Sequence, residues 1–504
     1  MESPPNPIPL YVHEIFFLIK TTMKGDKMSD FRLEAAILAA GFGTRMFSPI
    51  PKMLSKILGD PLVRYPFEAL SAMSSPPGKT YAVAGRDSIA HALPESVVWI
   101  QQKQMDGTLG AVEAVVLSPD WISGDATHLL VVNGDAPLLS GDLLDDFLGK
   151  SMASGVDMAI GTSTLDEPGR YGRVIRDRSG VSMIKEYVDL SLEEKAIQEI
   201  NAGIYLFSRE VLKTFLPKVL PHPEKKERFL TTVVELVREA GGEVGGIVLS
   251  PDVVLGVNTQ EELSYASGLL KNRINKKHMA SGVTFWDPAS TYVGPRVRIG
   301  PGTILFPGVI LEGDVVLSER THVGAGSHLT DVHSGPDVTI RDYCVISGSR
   351  IEAAAIIGPF AHIRPDSHVG PTAHVGNFVE LKKTSLGEGA KANHLAYLGD
   401  AEIGAGSNIG AGTITCNYDG VGKHKTVLGK NVFVGSDTQF VAPLKVGDGA
   451  VIAAGSTITE DVPPDSLALS RTSQENRDGA AIRYRERLLA AKREHQVAPG
   501  GQGG

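Results

Sequence analysis

The feature that most constrains the fold is a repeat in which an aliphatic residue and a small or turn-forming residue recur about every six positions between residues 293 and 460. The pairs include Val293-Gly294, Ile299-Gly300, Ile357-Gly358, Ile403-Gly404 and Val434-Gly435. A period of six fits neither the turn of a helix nor the two-residue alternation of a strand, but it fits a short strand and a tight turn. We therefore predict a parallel β-solenoid with its aliphatic side chains stacked inside, in preference to a glycine-rich β-sandwich.

Length, charge and cysteine content limit the classes of function. The 504 residues are enough for two or three domains with substantial cores. The formal charge of -9, from 49 basic and 58 acidic residues, argues against nucleic acid as a partner and favours small molecules. Two cysteines, Cys344 and Cys416, provide no disulfide framework, so we expect a cytoplasmic location.

Residues 1–30 form a proline-rich extension that we expect to be poorly ordered. Its apolar patch, residues 15–19, is too short to span a bilayer and lacks the flanking features of a signal peptide, so we expect no membrane association. Met28 is a plausible alternative start.

Residues 31–260 contain apolar runs that alternate with helical stretches, which predicts an α/β domain. The runs are residues 34–40, 80–84, 97–100, 129–132, 158–161 and 204–207. Ligands of open α/β sheets bind beyond the carboxyl ends of the strands, and the loop 41–52 follows the first run. We therefore expect this loop to contact a ligand.

The loop 41–52 has the composition of a phosphate-binding segment. Gly41 and Gly43 allow backbone N–H groups to approach phosphate oxygens, and Arg45 and Lys52 can balance the charge of a triphosphate. The loop lacks the third glycine of the dinucleotide fingerprint and the Gly-Lys-Ser/Thr of a Walker loop, so neither of those sites is predicted. Taken alone, the loop also fits a glycine-rich turn with solvated basic side chains.

The run from Leu38 to Met46, followed by Pro51 and Lys52, resembles the sugar-1-phosphate nucleotidyltransferases. These enzymes have a Rossmann-like α/β fold, join a nucleoside triphosphate to a sugar 1-phosphate and release pyrophosphate, with Mg²⁺. The resemblance implies that Arg45 and Lys52 stabilise charge during catalysis, and that Asp135 and Asn258 hold the metal. It also implies contacts with UTP or the nucleotide sugar for Leu38, Ala39, Ala40, Gly41, Lys52, Gln102, Gly107, Thr108, Asn133, Gly134, Asp135, Gly172, Glu186, Asn201 and Asn258.

Alternatives stay open in this motif set. Gln101 beside Gln102 leaves the register of the base-contacting residue ambiguous by one. The family usually has Gly-Thr-Gly-His-Ala where this chain has Gly107-Thr108-Leu109-Gly110-Ala111, a departure within the segment that contacts the base. Taken alone, Asp135 also fits a helix-capping aspartate after a strand.

Residues 358–471 resemble the acetyltransferase half of the bacterial bifunctional N-acetylglucosamine-1-phosphate uridylyltransferases/glucosamine-1-phosphate N-acetyltransferases. Residues 375–383, 394–400, 409–420 and 434–439 carry the resemblance, and the run Thr-Ile-Thr-Cys-Asn-Tyr-Asp-Gly from residue 413 is far more specific than the repeat itself. The resemblance implies a left-handed parallel β-helix of hexapeptide repeats, acetyl-CoA as the acetyl donor and a homotrimer.

Acetyl transfer to a sugar amine needs a base, and His394 interrupts the aliphatic repeat at a coil edge with an imidazole that titrates near neutral pH. The resemblance implies that Glu380 orients this base. It implies contacts with the sugar phosphate for Arg364, Lys382, Tyr397 and Asn408. It implies contacts with acetyl-CoA for Ala411, Asn417, Tyr418, Ser436, Ala454 and Arg471, with Lys423 nearby.

We therefore divide the chain into an extension 1–30, a uridylyltransferase domain 31–260, a linker helix 261–281, a β-helix acetyltransferase domain 282–475 and a frayed tail 476–504. The leading hypothesis is a bifunctional enzyme that N-acetylates glucosamine 1-phosphate and then transfers uridylyl from UTP to N-acetylglucosamine 1-phosphate. Its product, UDP-N-acetylglucosamine, would serve peptidoglycan and lipopolysaccharide synthesis. The alternatives are a nucleotidyltransferase whose β-helix serves oligomerisation or regulation, and a non-enzymatic scaffold.

Overall fold

A computed structural model describes residues 31–41, 43–85, 87–102 and 106–497. The predicted extension 1–30 and the alternative start at Met28 lie outside the described residues. By chain position, the protein divides into two compact units, Met1–Val316 with His328–Asp331 and Leu317–Ser327 with Val332–Gly504.

The α/β region belongs to the first unit. Its strands are β1 (Leu33–Leu38), β2 (Lys56–Ile57), β3 (Asp60–Pro61), β4 (Thr80–Ala84), β5 (Val98–Gln101), β6 (His128–Asn133), β7 (Met158–Thr164), β8 (Arg173–Asp177), β9 (Gly180–Lys185), β10 (Glu199–Ser208) and β11 (Val244–Val248). Its α-helices are Arg64–Ser71, Thr108–Val116, Pro119–Ser123, Gly141–Ser154, Arg209–Phe215, Thr232–Glu239 and Gln260–Ala280. Each of the six apolar runs predicted as strands coincides with or overlaps a strand.

The main sheet is mixed, with the strand order β11-β7-β10-β6-β1-β4-β5. The strand β1 runs parallel to β4 and β6, β4 runs parallel to β5, and β10 runs antiparallel to β6 and β7. The carboxyl ends of β1, β4, β5 and β6 therefore lie along one edge of the sheet, where a ligand is expected.

The strand β1 is central because its small and aliphatic side chains can be buried on both faces of the sheet. Ala36 and Leu38 pack into one core cluster with Val131. Ala35 and Ile37 pack into a second cluster. This rigid centre positions the loop that follows β1.

The predicted linker helix is observed as Gln260–Ala280. It begins with a capping box, in which Thr259 and Glu262 each accept a hydrogen bond from the other's backbone N–H. Within the first unit, the buried amide of Asn275 donates to the backbone oxygens of Pro288 and Thr291 at 3.0 Å each. The domain bounds at 260/261 and 281/282 stay a prediction.

The repeat region consists of short strands. They are β12 (Thr284–Phe285), β13 (Tyr292–Val293), β14 (Arg298–Ile299), β15 (Ile304–Leu305), β16 (Ile310–Glu312), β17 (Val316–Leu317), β18 (His322–Val323), β19 (His328–Ser334), β20 (Thr339–Ile340), β21 (Val345–Ile351), β22 (Ile356–Ile357), β23 (His362–Ile363), β24 (Ser367–Val369) and β25 (His374–Asn377). They continue with β26 (Glu380–Lys382), β27 (Ser385–Leu386), β28 (Lys391–His394), β29 (Tyr397–Gly399), β30 (Ala401–Ile403), β31 (Asn408–Ile409), β32 (Ile414–Cys416), β33 (Thr426–Leu428), β34 (Phe433–Val434), β35 (Gln439–Val441), β36 (Leu444–Val446), β37 (Val451–Ile452), β38 (Thr457–Ile458) and β39 (Leu467–Ala468).

In the second unit, equivalent strands of successive coils pair in parallel. One sheet runs through β22, β25, β28, β31, β34 and β37, and another runs through β23, β26, β29, β32, β35 and β38. Ile357, Val375, Ile409 and Val434 point inward and are almost fully buried, as the repeat predicts. The structure therefore confirms an α/β domain followed by a parallel β-helix, as the sequence predicts.

Two details of the repeat region differ from the simple pattern. The irregular interval of the repeat still forms strands, because β20 pairs with β22 and β21 pairs with β23. Ile299, in the first unit, is only partly buried although it matches the repeat. The sequence signature and the structural repeat therefore do not coincide at every position.

The C-terminal segment that we expected to be frayed contains the helix Ala480–Val497. Its run of Ala, Leu, Arg, Glu and Lys consists of strong helix formers, and this propensity outweighs the lack of a buried face. Among the described residues, no helix is both long and apolar enough to cross a bilayer.

Candidate active sites

The first candidate site lies at the carboxyl ends of β1 and β6. Gly43 has a φ of 63°, and a Cβ on this residue would lie 2.4 Å from the Cβ of Lys52. The Gly134 N–H donates to the Leu38 oxygen at 2.9 Å, and a Cβ on Gly134 would lie 2.9 Å from the same oxygen. These two glycines allow the loops after β1 and β6 to pack closely, which brings Lys52 towards Asp135.

Lys52, Asp135 and Asn258 converge although they come from three distant segments. The Lys52 Nζ lies 2.5 Å from Asp135 Oδ2 and 3.1 Å from Asn258 Oδ1. Lys52 is only 6% exposed. The Val257 N–H donates to the Asp135 oxygen at 2.9 Å, which holds the segment that carries Asn258 against the end of β6. A positive charge therefore sits between the two residues predicted to bind a metal.

The other predicted phosphate-binding residues line the same edge. Leu38 and Ala39 are buried, Ala40 is half-buried and Gly41 is exposed, with open space where its Cβ would be. Arg45 lies in the 3-10 turn Thr44–Met46, and its side chain faces solvent. The loop thus leaves room for a phosphate chain beside the buried Lys52.

The residues predicted to contact the sugar lie close together. The Asn201 N–H donates to the Gly172 oxygen at 3.0 Å, and a Cβ on Gly172 would lie 3.6 Å from Glu186 Oε2. Gly203 has a φ of 71°, and its Cβ would lie 2.1 Å from the Asn133 amide nitrogen, so only glycine fits there. Sequence reasoning did not single out Gly203, although a glycine next to a polar strand residue is a signal of such a close approach.

Burial raises the pKa values of two polar residues in this region, Glu186 and Tyr171. Burial raises the pKa of Glu186, and a hydrogen bond from the Thr231 hydroxyl at 2.8 Å partly opposes this shift. Burial also raises the pKa of Tyr171, whose hydroxyl accepts a hydrogen bond from the Gly256 N–H at 3.1 Å. Tyr171, which the sequence analysis missed, therefore ties the loop with Gly172 to the segment that carries Asn258.

Gln102 and Gly107 form a third part of the first site. Gln101 is the last residue of β5 and is exposed, whereas Gln102 is buried. The Gln102 Nε2 donates to Asp106 Oδ1 at 3.2 Å and to the Gly107 oxygen at 3.1 Å. The Thr108 hydroxyl accepts a hydrogen bond from the Leu230 N–H at 3.1 Å. Gln102 is therefore held by Asp106 and Gly107, whereas the Gln101 side chain is exposed.

The second candidate site lies on the β-helix, at the end of β28. His394 is exposed, and its Nδ1 lies 2.9 Å from the Oδ1 of Asn377, the equivalent residue one coil earlier. Because an amide oxygen only accepts, this contact requires a proton on Nδ1, and in the neutral imidazole Nε2 is then the acceptor. The imidazole borders a cavity of about 280 Å³ lined by Arg341, Ile356, Gly358, Pro359, His374, Val375, Gly376, Asn377, Asn393 and His394.

The predicted pairing of Glu380 with His394 is not formed within the described chain. Glu380 instead accepts a hydrogen bond from Arg364 at 3.0 Å, and its Oε2 lies 3.9 Å from His362 Nδ1. The reason is the coil geometry: Glu380 begins the strand after the corner and stacks on His362 and Tyr397, whereas Asn377 shares a register with His394. Asn377 therefore holds the imidazole in this chain.

Lys382, Asn417 and Lys423 gather around Asp400. The Lys382 Nζ lies 3.9 Å from Asp400 Oδ2, and the Asn417 amide donates to the same oxygen at 2.5 Å. The neighbouring ammonium of Lys382 lowers the pKa of Lys423. Lys382 and Lys423 therefore lie beside the carboxylate of Asp400. The sequence analysis did not single out Asp400.

His394 is the first of a series of equivalent corner positions on successive coils, which we call the corner column. The Gly412 N–H donates to the Leu395 oxygen at 2.8 Å, the Asp437 N–H to the Ala411 oxygen at 2.7 Å, and the Gly455 N–H to the Ser436 oxygen at 2.8 Å. The Arg471 guanidinium donates to the Ala454 oxygen at 2.8 Å. Four predicted acetyl-CoA residues therefore lie along one corner of the β-helix: Ala411, Ser436, Ala454 and Arg471.

The remaining predicted residues lie on neighbouring coils. Tyr397 pairs in register with Glu380 and Ile414, and Asn408 pairs with Lys391 and Phe433. Tyr418 is exposed, and its hydroxyl donates to the Gly420 oxygen at 2.7 Å.

These features define a class of protein, a nucleotidyltransferase domain joined to a hexapeptide-repeat transferase. A MobA-like NTP transferase domain matches residues 35–189, and the bacterial transferase hexapeptide (six repeats) matches residues 425–460. The chain is 41% identical over 448 residues to the bifunctional protein GlmU of Caldanaerobacter subterraneus subsp. tengcongensis, covering 89% of this chain and 97% of the relative. It is 40% identical to the bifunctional protein GlmU of Trichlorobacter lovleyi over 465 residues, covering 90% of this chain and 98% of the relative.

The protein from Thermodesulfovibrio yellowstonii, also a bifunctional protein GlmU, is 40% identical over 459 residues, covering 90% of this chain and 100% of the relative. The chain therefore belongs to the bifunctional GlmU family. The predicted family is confirmed, and the chain is an enzyme with a nucleotidyltransferase half and an acyltransferase half. Its substrates are small molecules, and its hexapeptide repeats are of the kind that forms oligomers.

Proposed function

We propose that the β-helix site acetylates glucosamine 1-phosphate with acetyl-CoA, and that the α/β site then transfers uridylyl from UTP to N-acetylglucosamine 1-phosphate. The product is UDP-N-acetylglucosamine, and pyrophosphate is released. The observation that carries this proposal is the presence of both groups in one chain: Lys52 with Asp135 and Asn258, and His394 with Asn377. A reducing cytoplasm is the proposed setting, because Cys344 and Cys416 are both free thiols.

Uridylyl transfer needs charge neutralisation and in-line alignment more than a protein nucleophile. Lys52 and Arg45 would bind the phosphate oxygens and stabilise the charge of the departing pyrophosphate. Asp135 and Asn258 fit a magnesium ion, because their oxygens already share one cation, the Lys52 ammonium, and are hard ligands. Bound Mg²⁺ would neutralise phosphate charge there.

The base and the sugar would occupy the two flanks of this site. Gln102, Gly107 and Thr108 would contact the uracil, and Gly172, Glu186, Asn201 and Asn133 would contact the aminosugar. The support for this arrangement is that Gln102 donates to the Gly107 oxygen and the Asn201 N–H donates to the Gly172 oxygen, at the same edge of the sheet.

In the acetyl transfer, the sugar amine attacks the thioester carbonyl, the new C–N bond forms, and the C–S bond breaks to release the thiolate of coenzyme A. His394 Nε2 would take the proton of the attacking amine, while Asn377 holds the Nδ1–H. Arg364 and Lys382 would bind the sugar phosphate. Arg364 has further N–H donors beyond the one used by Glu380.

The corner column suits an extended donor. Strands of successive coils lie about 4.8 Å apart, so the three steps from His394 to Ala454 span about 14 Å. A pantetheine arm laid along Ala411, Ser436 and Ala454 would bring its thioester to His394, with Arg471 at the far end for a phosphate. Asn417 and Tyr418 would bound the same groove.

We propose a homotrimer in which neighbouring β-helices complete the acetyl-transfer site. The support is an exposed apolar stack at the corner beside His394, made of Tyr343, Phe360, Phe378 and Leu395, which are 56%, 48%, 57% and 63% exposed. The three aromatic rings stack with centroids 5.4 Å apart. An exposed apolar surface of this kind is typical of an interface.

Two assays on the purified protein test the proposal by halves. The first measures free thiol release from acetyl-CoA with glucosamine 1-phosphate, and the second measures pyrophosphate release from UTP with N-acetylglucosamine 1-phosphate and Mg²⁺. Loss of the first activity alone would favour a nucleotidyltransferase with a structural β-helix. Absence of both activities, together with no UTP binding by calorimetry, would favour a scaffold.

A further inference from the structure

The amide of Gln102 has only one orientation that its surroundings allow. Its Nε2 faces two oxygens, Asp106 Oδ1 at 3.2 Å and the Gly107 carbonyl at 3.1 Å, and both of these atoms can only accept. A flipped amide would place Oε1 against both. The residue is 5% exposed, and its Oε1 is buried with no hydrogen-bond partner in the described part of the chain. A buried acceptor of this kind requires a donor.

Asp106 is held in place by an arginine from a distant segment. The Arg228 Nε donates to Asp106 Oδ2 at 3.0 Å, and the guanidinium donates to Glu113 Oε1 at 3.2 Å and Oε2 at 2.6 Å. The Arg228 backbone joins the same contact, since its N–H donates to the Asp106 oxygen at 2.6 Å and its oxygen accepts from the Leu109 N–H at 3.2 Å. Asp106 therefore has one oxygen for Arg228 and the other for Gln102.

This arrangement accounts for the glycine at position 110, where the family usually has a histidine. A Cβ on Gly110 would lie 1.7 Å from Asp106 Oδ1, so a histidine at this position would displace the Asp106 carboxylate from its contacts with Gln102 and Arg228. Gly107 is equally constrained, because its φ is 101° and its Cβ would lie 2.4 Å from the Arg228 oxygen. The departure therefore makes room for the Asp106–Arg228 contact.

We propose that Asp106, anchored by Arg228, is a positioning residue that fixes the Gln102 amide with its oxygen towards the nucleotide base and so selects a base that carries a ring N–H. Uracil presents a donor at N3, whereas cytosine presents an acceptor there. The position of Gln102 fits this role, because its N–H donates to the Ala84 oxygen at the carboxyl end of β4, on the edge that carries the phosphate loop. The inference rests on the proposed uridylyl transfer.

The test variant is Asp106→Asn. The side-chain oxygen of an asparagine would turn to the Arg228 guanidinium, and its NH₂ would face Gln102, which removes one of the two acceptors that hold Nε2. The amide of Gln102 would then lose its fixed orientation. We expect the ratio of kcat/KM for UTP to kcat/KM for CTP, measured by pyrophosphate release, to fall at least about tenfold. UTP methylated at N3 should be a poor substrate of the unaltered enzyme.

The matched control is Asp120→Asn, which alters another aspartate of the same domain paired to a lysine, Lys79, at 2.8 Å. It should leave the UTP/CTP ratio unchanged. If Asp106→Asn fails to fold, as judged by Tm, Arg228→Lys carries the test, with Arg176→Lys as its control because Arg176 makes the same forked contact with Glu199. An unchanged ratio in a folded variant overturns the inference. Failure of the unaltered enzyme to use UTP overturns the proposed function instead.

Discussion

The two candidate sites are assembled in opposite ways. In the α/β site, Lys52 and Asn258 are 206 positions apart, yet their side chains meet in a buried group at the edge of one sheet. In the β-helix site, His394 and Asn377 are only 17 positions apart, and their contact lies on an exposed corner. A sheet gathers distant segments into one enclosed place, whereas a solenoid repeats neighbouring coils along an open surface.

The difference predicts how each site works. The enclosed site needs only this chain to bring its charged groups together. The open site spreads its groups over successive coils, which suits an extended donor and the proposed contact with a neighbouring copy. Changes in one region should therefore leave the activity of the other intact.

The largest expected effect is that of His394→Ala. Removal of the proposed general base should reduce thiol release with glucosamine 1-phosphate by about 10²- to 10⁴-fold. Pyrophosphate release from UTP should be unchanged, because the α/β site does not involve this residue. Both rates are measured on the same preparation.

His368→Ala is the control for this variant, because His368 is another strand histidine of the β-helix and lies 3.2 Å from Glu352. It should keep full acetyl transfer. If His394→Ala retained more than about a tenth of the thiol release, the assignment of the base would be wrong.

The converse change is Lys52→Ala. The loss of a buried cation from the proposed phosphate site should reduce pyrophosphate release by about 10²- to 10³-fold. Acetyl transfer should stay within twofold of the unaltered rate, roughly the scatter of such measurements. Lys56→Ala, which alters an exposed lysine of the same segment, is the control and should have little effect. Equal losses in both activities would contradict the independence of the two regions.

A smaller loss is expected for Phe378→Asp. A charge in the middle of the exposed aromatic stack should separate the copies, and we expect at least a tenfold fall in thiol release, on the order of one lost interface anchor. Pyrophosphate release should remain. Light scattering after gel filtration measures the mass of the assembly, and Leu192→Asp, at an exposed residue of the first unit, is the control. An intact trimer with full acetyl transfer would exclude this stack as the interface.

The sequence predicted the fold in both regions for different reasons. In the β-helix, each coil buries the same position, so the inward residues Val293, Leu305 and Val323 could be identified from period alone. In the α/β region, the apolar runs predicted the strands because buried parallel strands are uniformly apolar. The helix Ala480–Val497 was not predicted, because a charged segment that ends in a glycine-rich run is typical of a solvated tail.

The sequence predicted which residues belong to each site, but it did not predict which other residues form hydrogen bonds with them. Asn377 and Asp400 lie 17 positions from His394 and Asn417, one coil away, so counting by coils rather than by repeats of six would have found them. The contact of Asp106 with Arg228, 122 positions on, has no comparable signal in one sequence. Long-range pairing is set by tertiary packing, which local patterns do not encode.

The smallest effect, and the one that tests burial within the α/β site, is that of Glu186→Gln. Burial raises the pKa of Glu186 above its ordinary value, so the charged carboxylate destabilises the fold at neutral pH. The variant removes this charge but keeps an acceptor for the Thr231 hydroxyl. We expect Tm at neutral pH to rise by about 1 to 3 °C. The gain should shrink as the pH falls through the raised pKa, because the native carboxyl then becomes neutral as well.

Glu199→Gln is a control in the same domain for which the expected change in Tm at neutral pH has the opposite sign. Burial raises the pKa of Glu199, but the two hydrogen bonds from Arg176 at 2.7 Å each oppose this, and the pKa lies below its ordinary value. Its charge therefore stabilises the fold at neutral pH, and the variant should melt at a lower temperature, with a loss that fades in acid. If Glu186→Gln also lowered Tm at neutral pH, the Glu186 carboxylate would be a stabilising group of the free enzyme. Its proposed role at the sugar would then have to be separated from a structural one by the dependence of pyrophosphate release on sugar-phosphate concentration.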